Sequence, residues 1–224
     1  LTPARQRVLD ALGDWGGAAV TARELADAAG VGTSVVKGLV ATGTLFEEDA
    51  PRDLPFPPLD ATAQGPVLSE AQAQAAAALR AEVAGGRFGA TLLKGVTGSG
   101  KTEVYLEAVA ECLARGRQAL VLLPEIALTA GFLERVEDRF GARPAEWHSG
   151  ATQAERRRAW RMVAEGGAEL VVGARSALFL PFRDLGLVVV DEEHDSSYKQ
   201  EDGVLYNARD MAVLRASIAD ARVV

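Results

Sequence analysis

A chain of 224 residues, 48% hydrophobic and 25% charged, is long enough for one medium domain and a small one, each with its own core. Its formal charge of -7 excludes strong, indiscriminate attraction to polyanions over the whole surface, while leaving room for a local basic patch. The single cysteine, Cys112, excludes an intrachain disulfide and a cysteine-built metal cage, and with no membrane-span run and no signal-peptide pattern it predicts a cytoplasmic protein.

Residues 1–50 predict a helix over "PARQRVLDAL", a second over "TARELADAAG" with Thr21 as its cap, a turn holding Gly30 and Gly32, a third helix over "TSVVKGLVA" and a short apolar "TLF". That order is the winged-helix order, with "TLF" as the wing. Two readings stand: the third helix enters a DNA groove, or the domain is a protein-protein spacer. Lys37 is that helix's only cation and the neighbouring "EEDAPRD" is acidic, which weighs toward the spacer. Residues 51–67 concentrate proline without periodicity and predict a linker.

From residue 68 to 224, helical and strand-like runs alternate. Strands are expected over "TLLK", "QALVLLP", "AEWHS", "AELVVG" and "LGLVVVDE", each short and apolar enough to be buried on both faces. Between them, "TEVYLEAVAECLARG" and "TAGFLERVEDRFG" end on glycine, and "TQAERRRAWRMVAEG" opens with a Thr152–Glu155 capping box. Alternation of this kind predicts an α/β domain built on a doubly wound parallel sheet, with ligands at the carboxyl ends of its strands. Cys112 reads as a buried helix position.

"GVTGSGKT", Gly95–Thr102, stands between a strand and an amphipathic helix and has the spacing of a phosphate-binding loop. Gly95, Thr97, Gly98, Ser99 and Gly100 offer main-chain N–H groups to phosphate oxygens, Lys101 reaches the β and γ phosphates of ATP, and the Thr102 hydroxyl ligates Mg²⁺. "LGLVVVDEEH" supplies the partner acids: Asp191 to hold magnesium through water, Glu192 to polarise the attacking water, His194 to relay the state of the γ-phosphate, and Glu193 facing solvent. Gln72 has two readings, an adenine reader or the third residue of a capping box begun by Ser69.

"GVTGSGKTEVY", "LLPEIALT", "WHSG", "VVGARSALFLPF" and "VVVDEEHDSSYKQEDGVLYNARDMAVLRA" resemble, in order, the signature segments of the PriA family of superfamily 2 replication-restart helicases. The resemblance covers most of residues 68–224 and implies a RecA-like first motor lobe behind a winged-helix domain. It implies a DNA-dependent ATPase moving 3′ to 5′, forked and single-stranded DNA as partners with single-strand-binding protein and other primosome proteins, and a monomer at the bacterial nucleoid. A fragment is expected, ending before the second lobe and the family's zinc-binding cysteines, and therefore binding nucleotide while hydrolysing it poorly. By family position Glu125, Thr129, Arg175 and Ser176 follow the DNA backbone, and "HDSSYKQEDGVLY" is an aromatic-rich loop that links DNA contact to hydrolysis. Tyr198, Lys199 and Tyr206 in that loop read either as stacking and phosphate contacts or, for the tyrosines, as packing anchors; Arg175 reads as a phosphate ligand or as the partner of a loop carboxylate. The residues leave two rivals, another superfamily 2 translocase and a nucleotide-switched winged-helix regulator.

Overall fold

The computed structural model describes residues 2–14, 20–48, 53–96 and 98–224. Contacts divide the chain into two units, Leu1–Arg52 and Asp53–Val224. Among the described residues, no helix is long and apolar enough to cross a membrane.

The first unit packs α1 (Pro3–Asp14), α2 (Ala22–Ala28) and α3 (Thr33–Ala41) around Val8, Leu25, Ala26, Val36 and Leu39. Thr21 begins α2 as expected, its hydroxyl accepting from the Glu24 amide and its own amide donating to the Glu24 carboxylate. No strand forms among the described residues of this unit. In place of the expected wing, the amides of Thr44 and Leu45 both donate to the Leu39 carbonyl, which folds "TLF" back onto the end of α3. Lys37 is exposed.

In the second unit six parallel strands stand in the order β1 (Gly89–Ala90), β8 (Arg222–Val223), β5 (Leu185–Val190), β2 (Gln118–Leu122), β4 (Leu170–Gly173), β3 (Ala145–Trp147). Side chains alternate between the faces as strand geometry demands. Ala119 and Val121 of β2 meet α4 (Glu70–Ala84), α5 (Lys101–Ala114) and α6 (Ala130–Phe140), while Leu120 and Leu122 meet α7 (Gln153–Glu165) and α8 (Ala208–Ala219). Each central strand is buried on both faces, which is why its sequence shows a continuous apolar run. The strand expected over "TLLK" lies instead at Gly89–Ala90, because pairing is set by its neighbour through Gly89↔Arg222 and Ala90↔Val223.

Capping follows the sequence. Thr152 and Glu155 form a reciprocal box, and Gly141 closes α6 at φ 77°, in the left-handed region. Cys112 is fully buried, and that burial pushes its thiol up to about 12.

Residues 53–67 contain no helix or strand, yet they are tied down along the second unit. Asp53 is 7% exposed and pairs with Arg157, the Phe56 amide donates to Gly167, and Leu59 donates to the Glu169 carboxylate. Arg139, 5% exposed, donates to Ala63 and to Glu107. A stretch without periodicity is thus held by its main-chain polar groups, which must find partners once they leave water.

Candidate nucleotide site

Because every strand of the large sheet runs the same way, the segments after β1, β2, β3, β4 and β5 all emerge at one edge. Gly98 and Gly100 take φ of 77° and 79°, a region that costs an ordinary side chain energy and lets the loop turn tightly into α5. Lys101 is the first residue of that helix, so the open N–H groups and positive dipole end of α5 face the loop. Crowding reinforces the need for glycine: a Cβ on Gly95 would strike the Ser99 hydroxyl, and one on Gly100 would strike the Gln72 amide nitrogen. Gly100→Ala is therefore expected to lower stability by about 1–2 kcal/mol and to weaken nucleotide binding, checked by chemical denaturation and titration of one sample.

The Lys101 ammonium donates to the Gly95 carbonyl at 3.1 Å and stands 3.6 Å from the Glu192 carboxylate. Asp191 continues β5, and its amide donates to the Leu122 carbonyl at the end of β2. The Asp191 carboxylate accepts from the Glu192 amide and from the Tyr105 hydroxyl, each at 3.0 Å. Glu192 adopts φ 48°, an unusual conformation for a residue with a side chain, and strain of this kind collects at functional sites. Its carboxylate lies between Lys101 and His194, the latter at 3.7 Å and with a side chain 75% exposed. Glu193, expected to face solvent, keeps a side chain 37% exposed and pairs with Arg209 at 3.0 Å.

Gly98, Lys101, Thr102, Asp191, Glu192 and Arg135 border one cavity of about 320 Å³. A second, of about 820 Å³, adjoins it and shares Lys101, Asp191 and Glu192, with Gly95 and His194 on its wall. Thr97 lies outside the described residues.

The donors fit a magnesium nucleotide. Magnesium favours hard oxygen ligands and takes only one or two from protein, leaving the rest to phosphate and water. One hydroxyl, Thr102, and one carboxylate, Asp191, border the same cavity, and among the described residues no cluster of acidic, histidine or cysteine side chains would supply a complete protein cage. When bound, the metal would neutralise charge on the phosphates. The chain's own residues would cradle them with N–H groups, with the Lys101 ammonium and the Glu192 carboxylate on the wall of the same cavity.

Two residues here escaped the sequence reading. Tyr105, three residues after Thr102 on α5, is buried and touches Asp191, and Arg135 of α6 reaches the cavity rim while pairing with Glu103 at 3.5 Å. Burial and the adjacent Asp191 carboxylate hold the Tyr105 phenol well above its ordinary pKa, so it remains a donor. In sequence a tyrosine at helical spacing looks like core, and an arginine on an exposed face looks like solvent.

The capping reading of Gln72 is the one realised. Its carbonyl oxygen accepts from the Ser69 amide at 2.8 Å, and its amide nitrogen donates to the Ser99 carbonyl at 2.8 Å. Each polar end makes one bond, which ties the side chain to the phosphate loop and leaves one N–H and one lone pair of the carboxamide unused.

Several residues expected on DNA have other duties. Tyr198 is 1% exposed, and its hydroxyl lies 2.7 Å from the Asp191 carbonyl and 3.0 Å from the Leu122 carbonyl, which makes it a packing anchor with no open face. Its own burial raises the phenol pKa. Arg175 donates through one guanidinium nitrogen to the Ser197 and Lys199 carbonyls at 3.0 and 2.6 Å. Thr129 caps α6, and Ser176 accepts from the Trp147 ring nitrogen at 3.1 Å. Glu125 and Lys199 are exposed. The aromatic-rich segment is a hairpin of β6 (Lys199–Gln200) and β7 (Tyr206–Asn207), with Tyr206 edge-on to Phe179 at 5.2 Å.

A profile of the DEAD/DEAH box helicase family matches residues 69–220. The replication restart protein PriA of Rickettsia conorii is 50% identical over 159 residues, 71% of this chain and 24% of that protein. That of Bacillus subtilis is 39% identical over 202 residues, 89% of this chain and 25% of that protein. Among solved structures, the DUF1998 helicase MrfA bound to DNA aligns with a TM-score of 0.42 at 17% identity, covering 71% of this chain and 26% of that one. The chain thus spans about a quarter of the length of the curated relatives named here. Since the profile takes in the phosphate loop, both acids after β5 and the hairpin beyond them, the chain belongs to the DEAD/DEAH box helicase family.

Proposed function

We propose that this chain is the nucleotide-binding lobe of an ATP-dependent 3′ to 5′ DNA helicase of replication restart, acting in the cytoplasm at forked and single-stranded DNA. The observation that carries the reading is the convergence of Lys101, Thr102, Asp191 and Glu192 on one cavity. Identities of 39–50% to replication restart proteins over 71–89% of this chain support the choice of DNA and of restart. In this reading residues 1–50 are a domain with the helix order of a winged helix, its "TLF" turned back on α3 where a strand would stand, joined through 51–67 to the motor lobe, and single-strand-binding protein and primosome proteins are partners of the longer protein. Lys199 and Tyr206 on the hairpin, with Thr129 and Ser176, remain the positions proposed to lie along the DNA; Arg175 and Tyr198 act behind them by holding the hairpin and the strand ends.

ATP hydrolysis by the full-length protein carrying this sequence is the test. Forked DNA is expected to stimulate turnover at least about tenfold more than single-stranded RNA or blunt duplex, about 1.4 kcal/mol in the barrier. Equal stimulation by all three would reject restart in favour of a general translocase. Operator-specific duplex binding without stimulated turnover would reject the motor reading for a regulator.

A further inference from the structure

We propose that Tyr105 is a positioning residue for magnesium-dependent nucleotide binding, its hydroxyl fixing the Asp191 carboxylate that faces the phosphate cradle. The inference rests on the nucleotide-site reading above and extends it to a residue outside the phosphate-loop and acidic motifs. A ring in this place has only to fill the space between α5 and the end of β5, and Tyr105 is 2% exposed among apolar neighbours. Phenylalanine would fill that space equally well. The added hydroxyl must find a partner once buried, and its partner is the Asp191 carboxylate at 3.0 Å. Thr102 stands one helical turn before it and borders the same cavity as Asp191. One buried donor therefore holds the carboxylate whose oxygens, with the Thr102 hydroxyl, fit magnesium.

A carboxylate offers about four lone-pair sites and otherwise turns freely about its last bond. Tyr105 engages Oδ2 and the Glu192 amide engages Oδ1, which fixes the plane of the group and leaves sites open toward the cavity. Neighbours that orient a metal-facing ligand in this way contribute about 10–100-fold to metal affinity.

The test uses the 224-residue chain and a fluorescent ADP analogue, titrated with MgCl₂ and, separately, in EDTA. Tyr105→Phe is expected to raise the magnesium concentration for half-maximal tight binding by about tenfold, the lower end of that range, with the change confined to the magnesium arm. In an Asp191→Asn background the same substitution is expected to add nothing, since the group through which it acts is gone. An unchanged magnesium midpoint in Tyr105→Phe, or an undiminished effect in the Asp191→Asn background, would overturn the inference. Thermal unfolding of each variant verifies that the measured species is folded. If the wild-type chain binds the analogue but shows no magnesium dependence, the inference fails alone; if it binds no analogue, the site reading fails with it.

Discussion

Lys101→Ala is expected to weaken binding of a fluorescent ADP or ATP analogue by this chain at least about a hundredfold, removing it at micromolar concentrations. Hydrogen bonds to a charged partner contribute about 1.5–3 kcal/mol each, so losing two to the phosphates removes about 3–6 kcal/mol, and each 1.4 kcal/mol is tenfold. A second effect has the same sign. The ammonium stands 3.6 Å from Glu192, and without it that carboxylate faces the incoming phosphates unopposed. Fold stability is expected to change little, because among the described residues the Lys101 side chain, 21% exposed, bonds to the Gly95 carbonyl and pairs with Glu192, both within the loop and its facing acid. Lys101→Arg keeps the charge but not the compact head that the loop encloses, and is expected to recover only part of the affinity. Equilibrium titration measures all three proteins, and undiminished binding by Lys101→Ala would remove the site assignment.

The parts of this molecule that were legible in advance are those whose constraint is local. Gly98 and Gly100 mark backbone that only glycine adopts cheaply, and the capping boxes of Thr21, Ser69 and Thr152 are closed within three residues. Strands buried on both faces announce themselves as apolar runs, so β2, β4 and β5 were readable to within two residues at each end. What escaped was decided by partners far along the chain. Tyr198 and Tyr206 look alike in sequence, yet the first is buried because the Leu122 and Asp191 carbonyls lie within its reach, while the second lies half-open against Phe179. Arg175 meets main-chain carbonyls more than twenty residues away, an acceptor that no residue type advertises. The missing strand over "TLF" is the local exception, since the Thr44 and Leu45 amides are taken by the Leu39 carbonyl near the end of the preceding helix.

Those distant polar contacts also locate the substitution expected to cost most stability, Gln118→Leu. Gln118 opens β2 and is 4% exposed. Its amide nitrogen donates to the Val163 and Ala168 carbonyls at 3.0 and 2.8 Å, while its carbonyl oxygen accepts from the Arg183 and Asp184 amides at 2.8 and 3.0 Å. Every hydrogen-bonding valence of the side chain is filled, joining the end of α7 to the turn that feeds β5. Leucine occupies a similar volume, so no large cavity opens; the Ala168 carbonyl and two N–H groups lose this partner instead, while the Val163 carbonyl keeps the Gly166 amide. At about 1–3 kcal/mol for each orphaned group, with some recovered by relaxation and water entry, the loss is expected to reach about 4 kcal/mol. For a domain of this size that lowers the melting temperature by about 8–16 °C. The cradle lies at the opposite, carboxyl end of the same strands, so the variant, assayed well below its melting temperature, is expected to bind nucleotide as the wild type does. Calorimetry and titration on one preparation separate the two effects: a stability loss under about 1 kcal/mol would mean that water already serves those groups, and a matching loss of affinity would mean that the two ends of the sheet are coupled.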